Sequence, residues 1–150
     1  MDALEQARAL LKDCTPLKAD CGKICGHACC KADETGENGM LLFPFEERYY
    51  TDDSDFVITG ERIICRGGCK RENRPLGCRV FPLVMLEDGK VKMDIRAWPV
   101  CPLMQSGIKG LQADFVLKVQ EAAKLLWADE KHRAFMIKTA AIIKQYKEMI

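Results

Sequence analysis

Nine cysteines in 150 residues constrain this chain more than any other feature of its sequence. Four of the nine fall within ten residues, between Cys21 and Cys30. Because nine is an odd number, a framework in which every cysteine forms a disulfide would leave one thiol over. Thiolates so close together repel one another unless a cation holds them. The spacing therefore favours metal ligation over disulfides or simple filling of a core.

The composition is typical of a folded, soluble globular chain, with 48% apolar and 30% charged residues. Its apolar runs are far shorter than the ~18 residues that a membrane span requires. The first residues carry acids where a secretory signal would carry bases, so we expect a cytoplasmic protein, in whose reducing surroundings disulfides do not persist. A net charge of +1 provides no general attraction to nucleic acid or to an anionic membrane.

The stretch from about residue 20 to 102 is predicted to form a cysteine-rich core of short strands and loops. Candidate strands are residues 40–43, 56–59 and 63–65, which are bounded by turn residues. Residues 79–86 and 91–98 flank Asp88-Gly89, a strong hairpin signal, and predict a β-hairpin. Pro82 indicates that the first hairpin strand lies at an edge or begins at Leu83.

Helices are predicted at both ends of this core, which gives one α+β domain over residues 1–150. Apolar residues at helical spacing predict an N-terminal helix over residues 3–13, ended by Pro16. Two further apolar stripes predict a helical part over about residues 110–150, with a break at Ala128-Asp129. We expect the C-terminal helices to pack on the hairpin and the N-terminal helix, or to bind a protein partner or form a homodimer.

Charge is even overall but uneven along the middle of the chain. Residues 32–61 contain nine acids and one base, whereas residues 62–79 contain six bases and one acid. One interpretation is a pair of solvated loop faces. The other places the guanidinium groups beside thiolates, because a four-thiolate zinc site carries about two net negative charges, which such groups would offset.

The geometry of ligation limits how the first four cysteines are grouped. Sulfurs around one zinc ion lie about 4 Å apart, whereas Cys21 and Cys29 on a continuous helix would be separated by about 12 Å. A helical segment would therefore divide its thiols between two metals, while loops at Gly22 and Gly26 would let them surround one centre. Adjacent Cys29 and Cys30 point in different directions in a regular backbone, which favours two centres or one multi-metal cluster.

The remaining cysteines supply a second set of candidate ligands. Cys65 and Cys69 flank Gly67-Gly68, whose freedom at positive φ lets a tight loop aim both sulfurs inward. Cys14 is the weakest candidate, since a small buried thiol at a helix end explains it equally well. Without it eight thiols remain, enough for two four-cysteine sites. His27 either replaces one thiolate or lies beside the site.

The residues from Cys21 to Cys30, the segment 74–82 and Cys101-Pro102 resemble the zinc- or iron-chelating family of cysteine-cluster proteins that carries a CxxCxxCC motif (YkgJ-like). The most specific part is residues 74–82, with the pattern Arg-Pro-x-x-Cys-Arg-x-Phe/Tyr-Pro. In this chain three residues, not two, separate the first cysteines, which leaves the grouping of ligands open. The resemblance implies a cytosolic protein with eight metal-binding cysteines, here Cys21, Cys25, Cys29, Cys30, Cys65, Cys69, Cys78 and Cys101.

We expect a metal-binding protein whose centres, two zinc ions or an iron–sulfur cluster, are mainly structural and support a binding or accessory role. Four thiolates suit both metals and leave no open position for a water molecule. Motifs for phosphate binding or a catalytic triad are absent from the sequence. The alternative is an iron–sulfur redox enzyme, or a subunit supporting a methyltransferase-type modification, since a related segment occurs in flagellin lysine N-methylases. Nucleic-acid binding ranks last because the basic run adjoins acids and lacks a recognition helix.

Overall fold

The computed structural model describes residues 2–16, 40–65, 73–97 and 101–149. Within these ranges, helices near both ends and two small antiparallel sheets form an α+β fold, as the sequence predicts. The helices are α1 (Ala3–Leu10), α2 (Leu76–Val80), α3 (Ala113–Trp127) and α4 (Glu130–Met149). The strands are β1 (Met40–Leu41), β2 (Phe56–Thr59), β3 (Arg62–Cys65), β4 (Leu83–Met85) and β5 (Val91–Met93).

Helix α1 begins where the sequence predicts and ends at Leu10, three residues before the predicted limit of residue 13. Asp2 caps it, because the Asp2 Oδ1 accepts the N–H of Glu5 at 2.8 Å. Leu4 and Ala7, one turn apart, face the core and are buried. The helix therefore contributes one apolar stripe to the main core.

Strands β1, β3 and β2 form a three-stranded sheet in that order, with antiparallel pairing throughout. Gly60-Glu61 joins β2 to β3, and Gly60 adopts a φ of +62°. A positive φ at the first central position is typical of a two-residue hairpin loop with glycine there. Ile63 is buried beneath this sheet, and Cys65 ends β3 opposite Phe56.

Strands β4 and β5 form the predicted hairpin. Asp88 and Gly89 both adopt positive φ, at 61° and 70°, as a type I′ turn requires. The strands are shorter than predicted, because residues 79–80 belong to α2 and Ile95–Ala97 forms a 3-10 turn. Pro82 has no N–H to donate to the ladder, and the strand begins after it, at Leu83, as one prediction had it.

Helices α3 and α4 are separated after Trp127, which confirms the predicted break near residues 128–129. Helix α3 packs on α1 and on the β4–β5 hairpin, and α4 packs on α3 and on the hairpin turn. Packing of the C-terminal helices on the hairpin and the N-terminal helix is thus confirmed. None of the described helices is long and apolar enough to cross a membrane. The buried residues that α3 contributes are Phe115, Val119, Ala122, Ala123 and Leu126.

Candidate metal centre

The structure describes three of the eight predicted ligands, and only two of them with their side chains. Cys65 is placed as the last residue of β3. Cys78 and Cys101 are described with their side chains. Outside the described residues lie Cys21, Cys25, Cys29, Cys30 and Cys69, and with them His27.

Cys78 lies at the third position of the short helix α2 and is half-buried. The helix starts after Pro75, whose carbonyl accepts the N–H groups of Cys78 and Arg79 at 3.0 and 3.1 Å. Proline suits the position before a first turn because its fixed φ is compatible with helix entry. This local geometry fixes the backbone from which the Cys78 thiol projects.

Cys101 is 7% exposed and belongs to a small buried cluster with Ala97 and Met104. Its N–H donates to the Ala97 carbonyl at 2.8 Å. Phe81 packs against the same cluster, and it follows Cys78 by about one helical turn. The end of α2, the helix that carries Cys78, is therefore a neighbour of the Cys101 cluster.

The two described thiols suit a thiolate-bound metal but do not complete its ligand set. Among residues 2–16, 40–65, 73–97 and 101–149, no group of three metal-ligating side chains converges. A tetrahedral thiolate site needs four sulfurs. Cys78 and Cys101 have the soft donor atoms that zinc and iron–sulfur clusters prefer, and a four-sulfur site would need further sulfurs from cysteines whose side chains the structure does not describe.

A buried carboxylate anchors the helix that carries Cys78. Glu46 is 0% exposed, and its Oε2 accepts the N–H of Leu76, the first residue of α2, at 2.6 Å. Arg8 of α1 donates to the same oxygen at 2.5 Å. The other carboxylate oxygen accepts the N–H of Phe43 at 3.2 Å. The start of α2 is therefore tied to α1 and to the segment after β1.

The electrostatics of this anchor follow from its burial. Burial raises the pKa of the Glu46 carboxyl above its usual value, while the N–H of Leu76 and the Arg8 guanidinium act in the opposite direction. Burial likewise raises the pKa of Tyr50, whose hydroxyl accepts from Arg8 at 3.0 Å. Each polar group of the anchor has a described partner, so the cluster forms a satisfied buried network.

The guanidinium next to Cys78 in sequence is also buried. Arg79 donates from Nε to the Arg74 carbonyl and from Nη1 to the Arg8 carbonyl, each at 2.7 Å. The interpretation of the charged runs as solvated loop faces is therefore wrong for Arg74, Arg79 and Glu46, because these segments fold inward against α1. Arg62 is exposed as this interpretation expects, although it lies on β3 and not in a loop.

Sequence reasoning did not single out Glu46 or Arg8. Glu46 lies in a run rich in acids, and Arg8 occupies an ordinary position in an amphipathic helix. One indirect signal in the sequence points to burial of Glu46. It directly follows the apolar residues 40–45, which begin with a predicted strand.

Cys14 occupies a different environment from Cys101. It belongs to the main core around α1 and α3, and its thiol donates to the Leu10 carbonyl at 3.7 Å. Burial raises the pKa of the Cys14 thiol, and nearby Lys118 opposes this shift. Cys14 is therefore a packed, hydrogen-bonded thiol close to the end of a helix, as one explanation of it from the sequence expects.

Comparison of the chain with known proteins finds no relative. No protein-family model, no curated protein and no solved structure matches the chain. The resemblance of residues 21–102 to the zinc- or iron-chelating family therefore stays a prediction, and the function has to be argued from the residues themselves.

Proposed function

We propose that this chain is a metal-binding protein in which the eight cysteines other than Cys14 hold two zinc ions or an iron–sulfur cluster. The metal is mainly structural and supports a binding or accessory role. The observation that carries the proposal is that Phe81, which follows α2 directly, packs against the buried cluster that contains Cys101, so the helix that carries Cys78 ends beside Cys101. The density of cysteines between residues 21 and 30 adds the missing donors.

A bound metal would contribute its binding free energy to folding, because the ligand set does not exist in the unfolded chain. In this chain it would join the N-terminal cysteine segment to α2 and to the segment after β5. Glu46 and the neighbouring donors already fix the start of α2. The chain's own residues thus hold Cys78 in position, and a bound metal would add the link from Cys78 to the other ligands.

Zinc and iron are distinguished by elemental analysis of full-length protein purified without oxygen. We expect a colourless protein with about two zinc ions per chain, from eight thiolates at four per ion. A brown protein with iron and acid-labile sulfide would indicate an iron–sulfur cluster, which the alternative, an iron–sulfur redox enzyme or a subunit supporting a methyltransferase-type modification, also requires. Protein purified in this way that contains neither zinc nor iron would overturn both.

Single cysteine variants test which thiols bind the metal. Cys78→Ser and Cys101→Ser each remove one sulfur from a site, and we expect each to lose at least half of the bound metal. Cys14→Ser is the matched control, since it removes a cysteine that packs in a different cluster, and it should retain the full metal content. Equal losses from all three variants, or from none, would contradict this assignment of ligands.

A further inference from the structure

An open groove of about 320 Å³ lies between the three-stranded sheet and α4. Its sheet side is formed at the Gly60 turn, where Thr59 and Arg62 form the last pair of β2 and β3. Its helix side is formed by residues of α4 such as Lys138. Cys65 lies at the other end of β3, about 10 Å away at the usual rise of a strand. This sheet–α4 groove therefore lies away from the Cys65 end of β3.

The mouth of the sheet–α4 groove carries two cations and one acid. Lys138 Nζ lies 3.5 Å from Glu61 Oε2, and both side chains are more than half exposed. A pair this exposed contributes at most about 1 kcal/mol, so a ligand can replace it readily. The Arg62 side chain is exposed, and it makes no ion pair or hydrogen bond to the residues that the structure describes. The next residue of the strand, Ile63, is buried. One guanidinium at the mouth is thus left for a ligand.

The floor of the sheet–α4 groove is apolar. Leu41 of β1 and Phe135 and Ile142 of α4 line it. Leu41 and Phe135 also form walls of an inner recess of about 50 Å³, whose other lining residues, such as Val84, are mainly apolar. A polar mouth above an apolar floor is the arrangement found in small-molecule sites, which have volumes from about 300 Å³ upward.

We propose that the sheet–α4 groove binds a small amphipathic anion, with its oxyanion headgroup between Arg62 and Lys138 and its apolar body on Leu41 and Phe135. A guanidinium offers two parallel N–H donors that match a carboxylate or phosphate, which gives the strongest class of hydrogen bond. The Thr59 side chain lines the same mouth and adds a hydroxyl. Glu61 is the only acid among the groove-lining residues that the structure describes, and it opposes the headgroup.

The first test measures the binding of four probes to the full-length protein. Calorimetry gives the affinity of each probe, and nuclear magnetic resonance shifts show whether the groove residues are affected. Hexanoate and hexyl phosphate carry both parts of the ligand, hexanol lacks the charge and acetate lacks the apolar body. We expect saturable binding of at least one of the first two, and the tighter one identifies the headgroup. Hexanol or acetate should bind at least about tenfold more weakly, the loss of one charged hydrogen bond or of the apolar contact. Equal binding of all four probes, or of none, would overturn the proposal.

Three exposed substitutions give the second test, because their effects differ in sign. Arg62→Gln should weaken binding by about tenfold or more, since it removes the bidentate donor. Glu61→Gln should strengthen binding several-fold, since it removes the opposing charge and releases Lys138. Lys144→Gln on α4 is the control and should leave binding unchanged, because Lys144 does not line the groove. Unchanged affinity in Arg62→Gln, or weaker binding in Glu61→Gln, would sink the idea whether or not the protein binds metal.

Discussion

The carboxylate of Glu46 accepts the N–H of Leu76 at 2.6 Å, across thirty residues of sequence. This contact joins the 3-10 turn Glu46–Tyr49 to the first residue of α2, the helix that carries Cys78. Arg8 completes it from α1. A candidate metal ligand is therefore positioned by a buried charge network that belongs to the protein alone, and this makes the network open to test without the metal.

Substitution of Glu46 should have a large effect on stability. Glu46→Ala leaves Arg8 and two backbone N–H groups buried without their acceptor, and we expect a loss of about 3–5 kcal/mol in the free energy of unfolding. Glu46→Gln keeps one carbonyl acceptor and should lose about 1–3 kcal/mol. Urea denaturation measures both. Glu47→Ala, an exposed neighbour in the same turn, is the control and should change stability by less than about 0.5 kcal/mol. A similarly small loss for Glu46→Ala would contradict a stabilising role of the buried network.

Much of the fold could be predicted because its signals are local. The Asp88-Gly89 turn, the break between α3 and α4, and the strand over Phe56–Thr59 each depend on a few adjacent residues. Residues 79–80 were assigned to a strand and belong to α2 instead. The hairpin turn indicates that a strand precedes it but not where that strand begins, and the helix before Pro82 ends only two residues from the strand that follows it.

Buried polar residues could not be predicted, because their partners are distant in sequence. His132 lies in a polar run at the start of α4, yet it is almost fully buried and its ring stacks on Phe43 at 6.4 Å between centroids. Its Nδ1 contacts the Asp129 carboxylate, and its Nε2 makes no hydrogen bond to the described residues. Nothing in residues 129–133 indicates which polar side chain turns inward, since that depends on where the segment after β1 packs.

The candidate ligands could be named from the sequence, but their grouping could not. Clustered cysteines indicate metal ligation through the chemistry of the thiolate, which needs no knowledge of the fold. Grouping depends on the backbone conformation at positions such as Gly22 and Gly67, and a glycine in the sequence does not specify one conformation. The packing of Phe81, at the end of α2, on the Cys101 cluster is likewise a tertiary contact that the sequence does not indicate.

The main core predicts a strong contrast between two leucines of one helix. Leu126 of α3 is fully buried, whereas Leu117 of the same helix is 59% exposed. Leu126→Ala should destabilise the protein by about 2–5 kcal/mol, because it removes buried apolar surface and leaves a cavity. Leu117→Ala makes the same chemical change at the surface and should cost less than about 0.5 kcal/mol. Thermal or urea unfolding of both variants checks the contrast, and equal losses would contradict the packing of α3.

The hairpin turn predicts a cost that comes from backbone conformation alone. Gly89 has a φ of +70°, and a Cβ added there would meet Lys124 at an ordinary distance of 3.4 Å. Gly89→Ala therefore has room for its methyl group but should lose about 1–2 kcal/mol, the cost of a left-handed conformation for a residue with a Cβ. Lys90→Ala, at the next position and exposed, should be close to neutral. A neutral Gly89→Ala in urea denaturation would argue against the type I′ turn.

The N-terminal cap predicts a pH-dependent contribution from Asp2. The N–H of Glu5 and then the Arg48 guanidinium lower the pKa of the Asp2 carboxyl below its usual value of 3.8. A carboxyl whose pKa is lower in the folded state stabilises the protein above its unfolded pKa, and this contribution is lost as the pH falls through the folded pKa. Asp2→Ala should thus cost about 0.5–2 kcal/mol at pH 7, and the difference from the unsubstituted protein should shrink below about pH 4. Urea unfolding of both proteins at pH 7, 5 and 3 measures it, because every other titration is shared. A difference that stays constant down to pH 3 would mean that Asp2 caps α1 without its charge.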